Sequence, residues 1–291
     1  MRHSIFCLAF CFILSIGCTP NSQPPPQALK DLNELPREQL RVFLRGFTGD
    51  WRTDTDKNSG VEAPLAQEPM PQDAKVIDLP PPDSLNMGSM PLNQAISQRR
   101  SRREYTKTPL TLGELSYLLW CTQGVSSFEQ DSDGSIVGQY RTVPSGGSRH
   151  PFETYLLIQR VEGLNPGLYR FLPFGHKLGL LRATEKLQEA LKTACYGQSC
   201  VSEAAVVFVW ATVPYRTEWK YGCIAHRMIA IEAGHICQNL YLAAESIEAG
   251  ACALLGYSQP HMDALIGVDG KDEFTVYMAT LGKVEEYSET Q

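Results

Sequence analysis

Between Glu203 and Pro214 the chain runs Ala-Ala-Val-Val-Phe-Val-Trp-Ala-Thr, from Ala204 to Thr212. A strand with one wet face alternates apolar and polar side chains. This run has no polar face to turn to water, so it predicts a strand buried on both sides at the centre of a sheet. A second constraint follows downstream. From His226 to Glu248 there is no proline, and Met228, Ile231, Ala233, His235, Ile236, Leu240, Ala243 and Ile247 keep helical spacing on a mostly apolar cylinder. That helix must lie in the core or in a dimer interface.

Other elements read in order. Ser89 and Pro91 open a helix through Arg100, and Thr111-Leu112-Gly113-Glu114 is a capping box before Leu115, Leu118 and Leu119. Residues 154–160, 167–172 and 176–182 carry β-formers between glycine and proline punctuation, which predicts a strand meander. Thr184 to Ala194 is an amphipathic helix, and Gly250 to Tyr257 and Phe274 to Leu281 are further strands. The order of helices and strands is α+β, without the βαβ alternation of a parallel doubly wound sheet.

A chain of 291 residues, 43% apolar and 20% charged, has material for one catalytic-sized domain with an N-terminal extension. The net charge of -6, with basic residues concentrated in only one short cluster, excludes the electrostatic footprint of a nucleic-acid binder. Arg2 and the apolar run Ile5 to Ile16 make residues 1–17 a signal peptide, too short to span a bilayer. The end of that run, Leu14-Ser15-Ile16-Gly17-Cys18, resembles a bacterial lipoprotein cleavage box with serine where leucine is usual, so the expectation is export and lipidation at Cys18, facing the periplasm or the cell exterior. An ordinary signal peptide is the plainer reading. Residues 18–74 are a proline-rich tether containing one amphipathic stretch, Leu32 to Phe47, that can dock on the domain or a partner. Residues 75–286 are the domain and 287–291 a tail. Of nine cysteines, Cys121, Cys237 and Cys252 sit in apolar contexts, and Cys195 and Cys200 flank a turn where a local disulfide can form in an oxidising compartment.

Two constellations carry chemistry. Arg99-Arg100-Ser101-Arg102-Arg103 puts guanidinium forks and a hydroxyl at a helix end, a donor set suited to phosphate, or else a solvated basic patch. Pro144-Ser145-Gly146-Gly147-Ser148-Arg149-His150-Pro151 is a small-residue loop entering a strand. Its backbone can approach a ligand closely, its serines bring hydroxyls and Arg149 and His150 add donors, or it is a plain turn. Neither is a Rossmann or P-loop fingerprint. Cys223 and His226 lack a third ligand, and His226 and His235 lie on opposite faces of one helix, so no metal site is expected.

From about Lys75 to Lys283 the chain resembles the SagB-type dehydrogenases, relatives of the nitroreductases that use flavin mononucleotide (FMN). The matching residues are Arg100-Ser101 with Arg103, Pro144-Ser145-Gly146-Gly147 with Arg149-His150-Pro151, Pro166-Gly167-Leu168-Tyr169, and Gly234-His235 with Gln238-Asn239-Leu240. The resemblance implies an α+β homodimer, built on a mainly antiparallel sheet flanked by helices, with FMN at the subunit interface. It implies that Arg99, Arg100, Ser101 and Arg103 hold the phosphate, with Lys283 completing that site. Pro144, Ser145, Gly146, Ser148 and His150 would come from the other subunit, and Leu255 and Gly256 would face the reactive edge of the ring. Ser148 stands where classical nitroreductases carry asparagine, and Glu248-Ala249-Gly250 where relatives tend to show Gly-Leu-Gly.

In the azole-forming relatives a Lys-Tyr pair is required, and Lys220-Tyr221 matches it. A lysine with a lowered pKa can remove an acidic C–H proton while hydride leaves to flavin, with Tyr221 orienting substrate or relaying the proton. By residue type alone Lys220 is a surface lysine beside a core tyrosine. The implied substrate is a small molecule or the azoline ring of a modified peptide. The alternatives are an NAD(P)H-dependent nitro or quinone reductase, and a surface-anchored binding module that kept the fold without the chemistry.

Overall fold

The computed structural model describes residues 36, 41–45, 54–134, 136–184 and 186–285. The signal run, Cys18, most of 18–53 and the 287–291 tail lie outside the described residues, and of the Leu32 to Phe47 stretch only residues 36 and 41–45 are described. By backbone contacts the chain divides into Met1–Val42 and Phe43–Gln291, and the architecture below belongs to the second unit.

Seven strands form one sheet: β1 (Lys75–Asp78), β4 (Phe152–Ile158), β5 (Gly167–Leu172), β6 (Lys177–Ala183), β7 (Val206–Thr212), β8 (Ala249–Leu254) and β9 (Phe274–Lys283). Their order is β1-β6-β5-β4-β7-β9-β8, and every pairing is antiparallel. β7 lies between β4 and β9 with all its residues buried, as its unbroken apolar run predicts. Two further strands, β2 (Val125–Gln130) and β3 (Ile136–Arg141), form a separate ribbon.

The helices are α1 (Leu92–Gln98), α2 (Leu112–Gln123), α3 (Leu187–Ala194), α4 (Ser199–Glu203), α5 (Tyr215–Tyr221), α6 (Ala225–Glu245) and α7 (Gln259–Ile266). Because successive strand residues point to opposite faces, the sheet divides its core in two. Leu156, Ile158, Phe208, Trp210, Ala279 and Leu281 pack with Leu115 and Leu118 of α2 and Ile229, Ile236 and Leu240 of α6. Tyr155, Leu157, Val207, Val209, Ala211 and Met278 pack with Leu187 and Leu191 of α3, Val201 of α4 and Met262 and Ile266 of α7. The capping box forms: Thr111 Oγ1 accepts Glu114 N–H at 3.1 Å and Glu114 Oε2 accepts Thr111 N–H at 2.8 Å. On α6, Ile229, Glu232, Ala233, Ile236, Leu240 and Ala243 are buried, whereas Ile231 is 53% exposed and Gly234, His235 and Gln238 also face outward.

Residues 54–74, expected to be tether, are fastened to the domain. Lys57 N–H donates to Trp219 O at 2.9 Å, and Trp219 Nε1 to Val61 O at 2.8 Å. Arg216, fully buried, donates through Nε to Leu65 O at 2.7 Å and through Nη2 to Glu153 at 2.6 Å and Glu68 at 3.2 Å. Arg170 Nη2 reaches the carbonyls of Glu68 and Pro69 at 2.8 and 2.7 Å. Extended backbone has unpaired carbonyls, and buried arginines supply the donors they need.

Cys195 and Cys200 are both buried free thiols, so the local disulfide is not formed. No helix among the described residues is long and apolar enough to cross a membrane.

Candidate functional site

The Pro144–Pro151 loop joins β3 to β4, and its backbone turns through left-handed conformations at Gly147 (φ 58°), Ser148 (φ 57°) and His150 (φ 46°). Gly147 takes this conformation without strain, and a Cβ there would press on the ends of two side chains, 2.6 Å from Lys220 Nζ and against the Tyr221 hydroxyl. The structure thus seats the Lys-Tyr pair, at the end of α5, directly on the small-residue loop. Lys220 Nζ lies 3.5 Å from Gly147 O and 5.6 Å from the Tyr221 ring centroid.

Electrostatics weaken the hold of Lys220 on its proton. Lys220 is half-buried, and burial, then the charges of Lys57 and Arg149, hold its pKa below the ordinary lysine value. Arg149 is fixed by a 2.8 Å bond from Nε to Arg216 O and stacks 4.8 Å over Trp219. His150 is buried, and burial followed by the charge of Arg141 pushes its pKa down to about 3, so it is neutral near pH 7 and supports the loop from inside. Ser148 Oγ donates inward to Gln139 O, and Ser145 Oγ accepts His150 N–H at 2.8 Å. Pro144 is exposed.

The arginine segment lies along the outer edge of β8. Ser101 bridges Ala251 in parallel register, and Arg102 N–H donates to Ala251 O at 2.9 Å. Arg100 and Arg103 are exposed, and Arg99 stacks 5.2 Å over the ring of Tyr241. The Tyr241 hydroxyl lies 2.9 Å from Ser101 Oγ and accepts Ala253 N–H at 2.8 Å, tying the segment to both α6 and β8. Leu255, 71% exposed, and Gly256 follow at the end of β8. At about 3.3 Å per residue they lie roughly 13 Å along the strand from the Ala251 register point. Lys283, opposite Ala249 on β9, is held by Glu114 at 2.5 Å and Ile247 O at 2.9 Å and lines a pocket together with Gln98 and Arg102.

The segment and the loop meet opposite ends and opposite sides of α6. Glu232, a residue that no sequence motif singles out, touches the loop, and Tyr241 touches the arginine segment. Nine residues of helix separate them by about 13.5 Å and roughly two and a half turns. A charged residue inside the otherwise apolar stripe Ile229-Ala233-Ile236 was the signal available for Glu232. Among the described residues no group of three His, Cys, Asp or Glu side chains is placed to hold a metal.

The sequence profile of the nitroreductase family matches residues 96–283, more than half of the chain and all of the elements just described from α1 through β9. The chain belongs to the nitroreductase family. It has the nitroreductase-like fold and is a flavin-dependent oxidoreductase. Among curated relatives, it is 34% identical over 163 residues to a candidate nitroreductase of Methanocaldococcus jannaschii, covering 56% of this chain and 77% of that one. It is 28% identical over 109 residues to the trifolitoxin-processing protein of Rhizobium leguminosarum bv. trifolii, covering 36% of this chain and 29% of that one. Among solved structures, a candidate nitroreductase from Ralstonia eutropha is 27% identical with a TM-score of 0.58, covering 78% of this chain and 98% of that one. Another from Anabaena variabilis is 28% identical with a TM-score of 0.56, covering 67% of this chain and 38% of its own length.

Proposed function

We propose that this nitroreductase-family chain is an FMN-dependent dehydrogenase of the SagB type, acting as a homodimer on an azoline ring in a modified peptide. The observation that carries the reading is the seating of Lys220 and Tyr221 on Gly147, which joins a lysine of lowered pKa to the loop expected to line the flavin. The similarity to a trifolitoxin-processing protein supports a peptide substrate.

The donor set fits the cofactor. Arg99, Arg100, Ser101 and Arg103 offer guanidinium and hydroxyl donors to a phosphate, and the exposed Leu255 and Gly256 follow the end of β8, their carbonyls taken by Tyr257 N–H and Gln198 Nε2. When bound, flavin would supply the acceptor for one hydride. Lys220 takes the neighbouring substrate proton on Nζ, so the ring loses one hydride and one proton as its double bond forms. Tyr221, in contact with Gly147, orients the substrate beside that amine.

The placement of α6 supports a dimer. With the loop and the arginine segment on opposite sides of the helix and about 13.5 Å apart along it, a second copy brings the two to one ligand more directly than a single chain does. The outward stripe of Ile231, Gly234, His235 and Gln238 is the surface for that copy. The export signal and Cys18 would place the enzyme on a lipid anchor, which fractionation of wild type and Cys18→Ala tests.

The functional test is stopped-flow flavin bleaching by a panel of azoline peptides under anaerobic conditions. Bleaching by an azoline supports the dehydrogenase. Bleaching by NAD(P)H alone, followed by reoxidation with nitro compounds or quinones, assigns the reductase role that the names of the relatives favour.

A further inference from the structure

We infer that Glu232 is a positioning residue for the flavin loop: it holds Ser145 and Gly146 so that Gly147 N–H is the amide left for a ligand. This rests on the reading of the loop as a flavin contact. Glu232 is 5% exposed, inside the stripe of α6 that packs against the sheet. Its Oε1 accepts Gly146 N–H at 2.8 Å, and the neighbouring Ser145 side chain favours its charged form. Ser145 Oγ in turn accepts His150 N–H at 2.8 Å.

The remaining donors of the loop are also engaged. Ser148 N–H donates to Ser145 O at 3.1 Å and Arg149 N–H to Gly146 O at 3.3 Å, while Ser148 Oγ donates to Gln139 O. From Gly146 to His150 the amide with no acceptor among the described residues is that of Gly147, an exposed residue whose carbonyl faces Lys220. An apolar side chain at 232 would complete the stripe without the large desolvation penalty of a buried carboxylate. The carboxylate is therefore there for the loop, and burial pushes its pKa up.

The test compares wild type, Glu232→Ala and Glu232→Gln as full chains, with FMN as the probe. Dissociation constants come from flavin fluorescence, fold and assembly from circular dichroism and sedimentation, and the Gly146 amide from hydrogen exchange of the flavin-free protein. Glu232→Ala should bind FMN about tenfold more weakly and lose Gly146 protection, because the hydrogen bond that fixes Gly146 disappears. Glu232→Gln keeps an acceptor and should stay within about threefold of wild type. The inference is overturned by wild-type affinity and protection in Glu232→Ala, or by Glu232→Gln binding as weakly as Glu232→Ala. If wild type binds no FMN, the flavin reading fails, and Gly146 protection in the flavin-free proteins still decides the role of Glu232.

Discussion

Lys220 Nζ lies 3.5 Å from the carbonyl oxygen of Gly147, on a residue whose own N–H is open to solvent. One glycine therefore presents an amide to a ligand and touches the candidate base; glycine takes a φ of 58° without strain, and a Cβ would push aside the ends of the Lys220 and Tyr221 side chains. A movement of the loop moves the base with it.

Replacing Lys220 by alanine removes the proposed proton acceptor. The variant should keep its flavin spectrum and sedimentation, yet lose roughly 10²-fold or more in the rate of flavin bleaching by substrate, the usual loss for a missing acid or base. Tyr221→Phe should be milder. A wild-type bleaching rate in Lys220→Ala makes Lys220 a bystander.

Bleaching should also depend on pH through this lysine. A base works when deprotonated, so the rate should rise with pH to a plateau whose midpoint lies below the ordinary lysine pKa of 10.5. Lys57 is one of the charges that lower that midpoint, after burial itself. Lys57→Glu should stabilise the charged amine and move the rising limb to higher pH, read from the pH–rate profile. An unmoved limb separates Lys57 from the base.

Arg216 holds the 54–74 strap through Glu68, Glu153 and Leu65 O. Arg216→Ala leaves Glu153 buried with its partner gone, which should cost about 3 to 5 kcal/mol of stability by denaturant unfolding. Proteolysis should then cut between residues 54 and 74. Resistance of that segment in the variant would show that other contacts hold it.

His150 stays neutral in the folded chain because its pKa falls from 6.5 to about 3. The unfolded chain binds a proton below pH 6.5 that the folded chain refuses, so His150 contributes stability above that pH and loses it as pH falls toward 3. Glu273, raised from 4.5 to about 7, acts in the opposite sense between those values, binding its proton more readily when folded. The two effects separate in a variant. His150→Gln should cost stability near pH 7, and its deficit against wild type should shrink as pH falls to 5, measured by urea unfolding at each pH. A deficit independent of pH would remove the proton linkage.

What the sequence made legible follows from how local each signal is. β7 and α6 are specified by their own side chains, and the α2 cap by four consecutive residues, so all three stand close to where the pattern put them. The β2–β3 ribbon escaped because β2 is largely exposed and β3 buries polar side chains, Gln139 and Arg141, so neither carries an apolar alternation. The strap was misread because its partners are remote: Arg216 is 151 residues from Leu65, and no window contains both. Glu232 was missed for the same reason, with its partner Gly146 86 residues away. On the candidate site, the sequence supplied the loop, the arginine segment and the Lys-Tyr pair. That α6 keeps the first two on opposite sides is a property of the fold alone.

The central claim is that the loop of one chain and the arginine segment of another make one flavin site. Two variants test it: Arg99→Ala with Arg103→Ala in one chain, and Gly147→Val in a differently tagged chain. Removing each guanidinium–phosphate hydrogen bond should cost on the order of 1.5 to 3 kcal/mol, and valine at 147 blocks the loop, so neither homodimer should retain FMN at micromolar concentration. Tandem-tag purification isolates the mixed dimer, whose flavin is counted by absorbance against protein. A shared site leaves one of its two sites intact and predicts one FMN per mixed dimer, half the wild-type content. A mixed dimer without flavin would contradict the account, because it would mean that both halves of the site belong to a single chain.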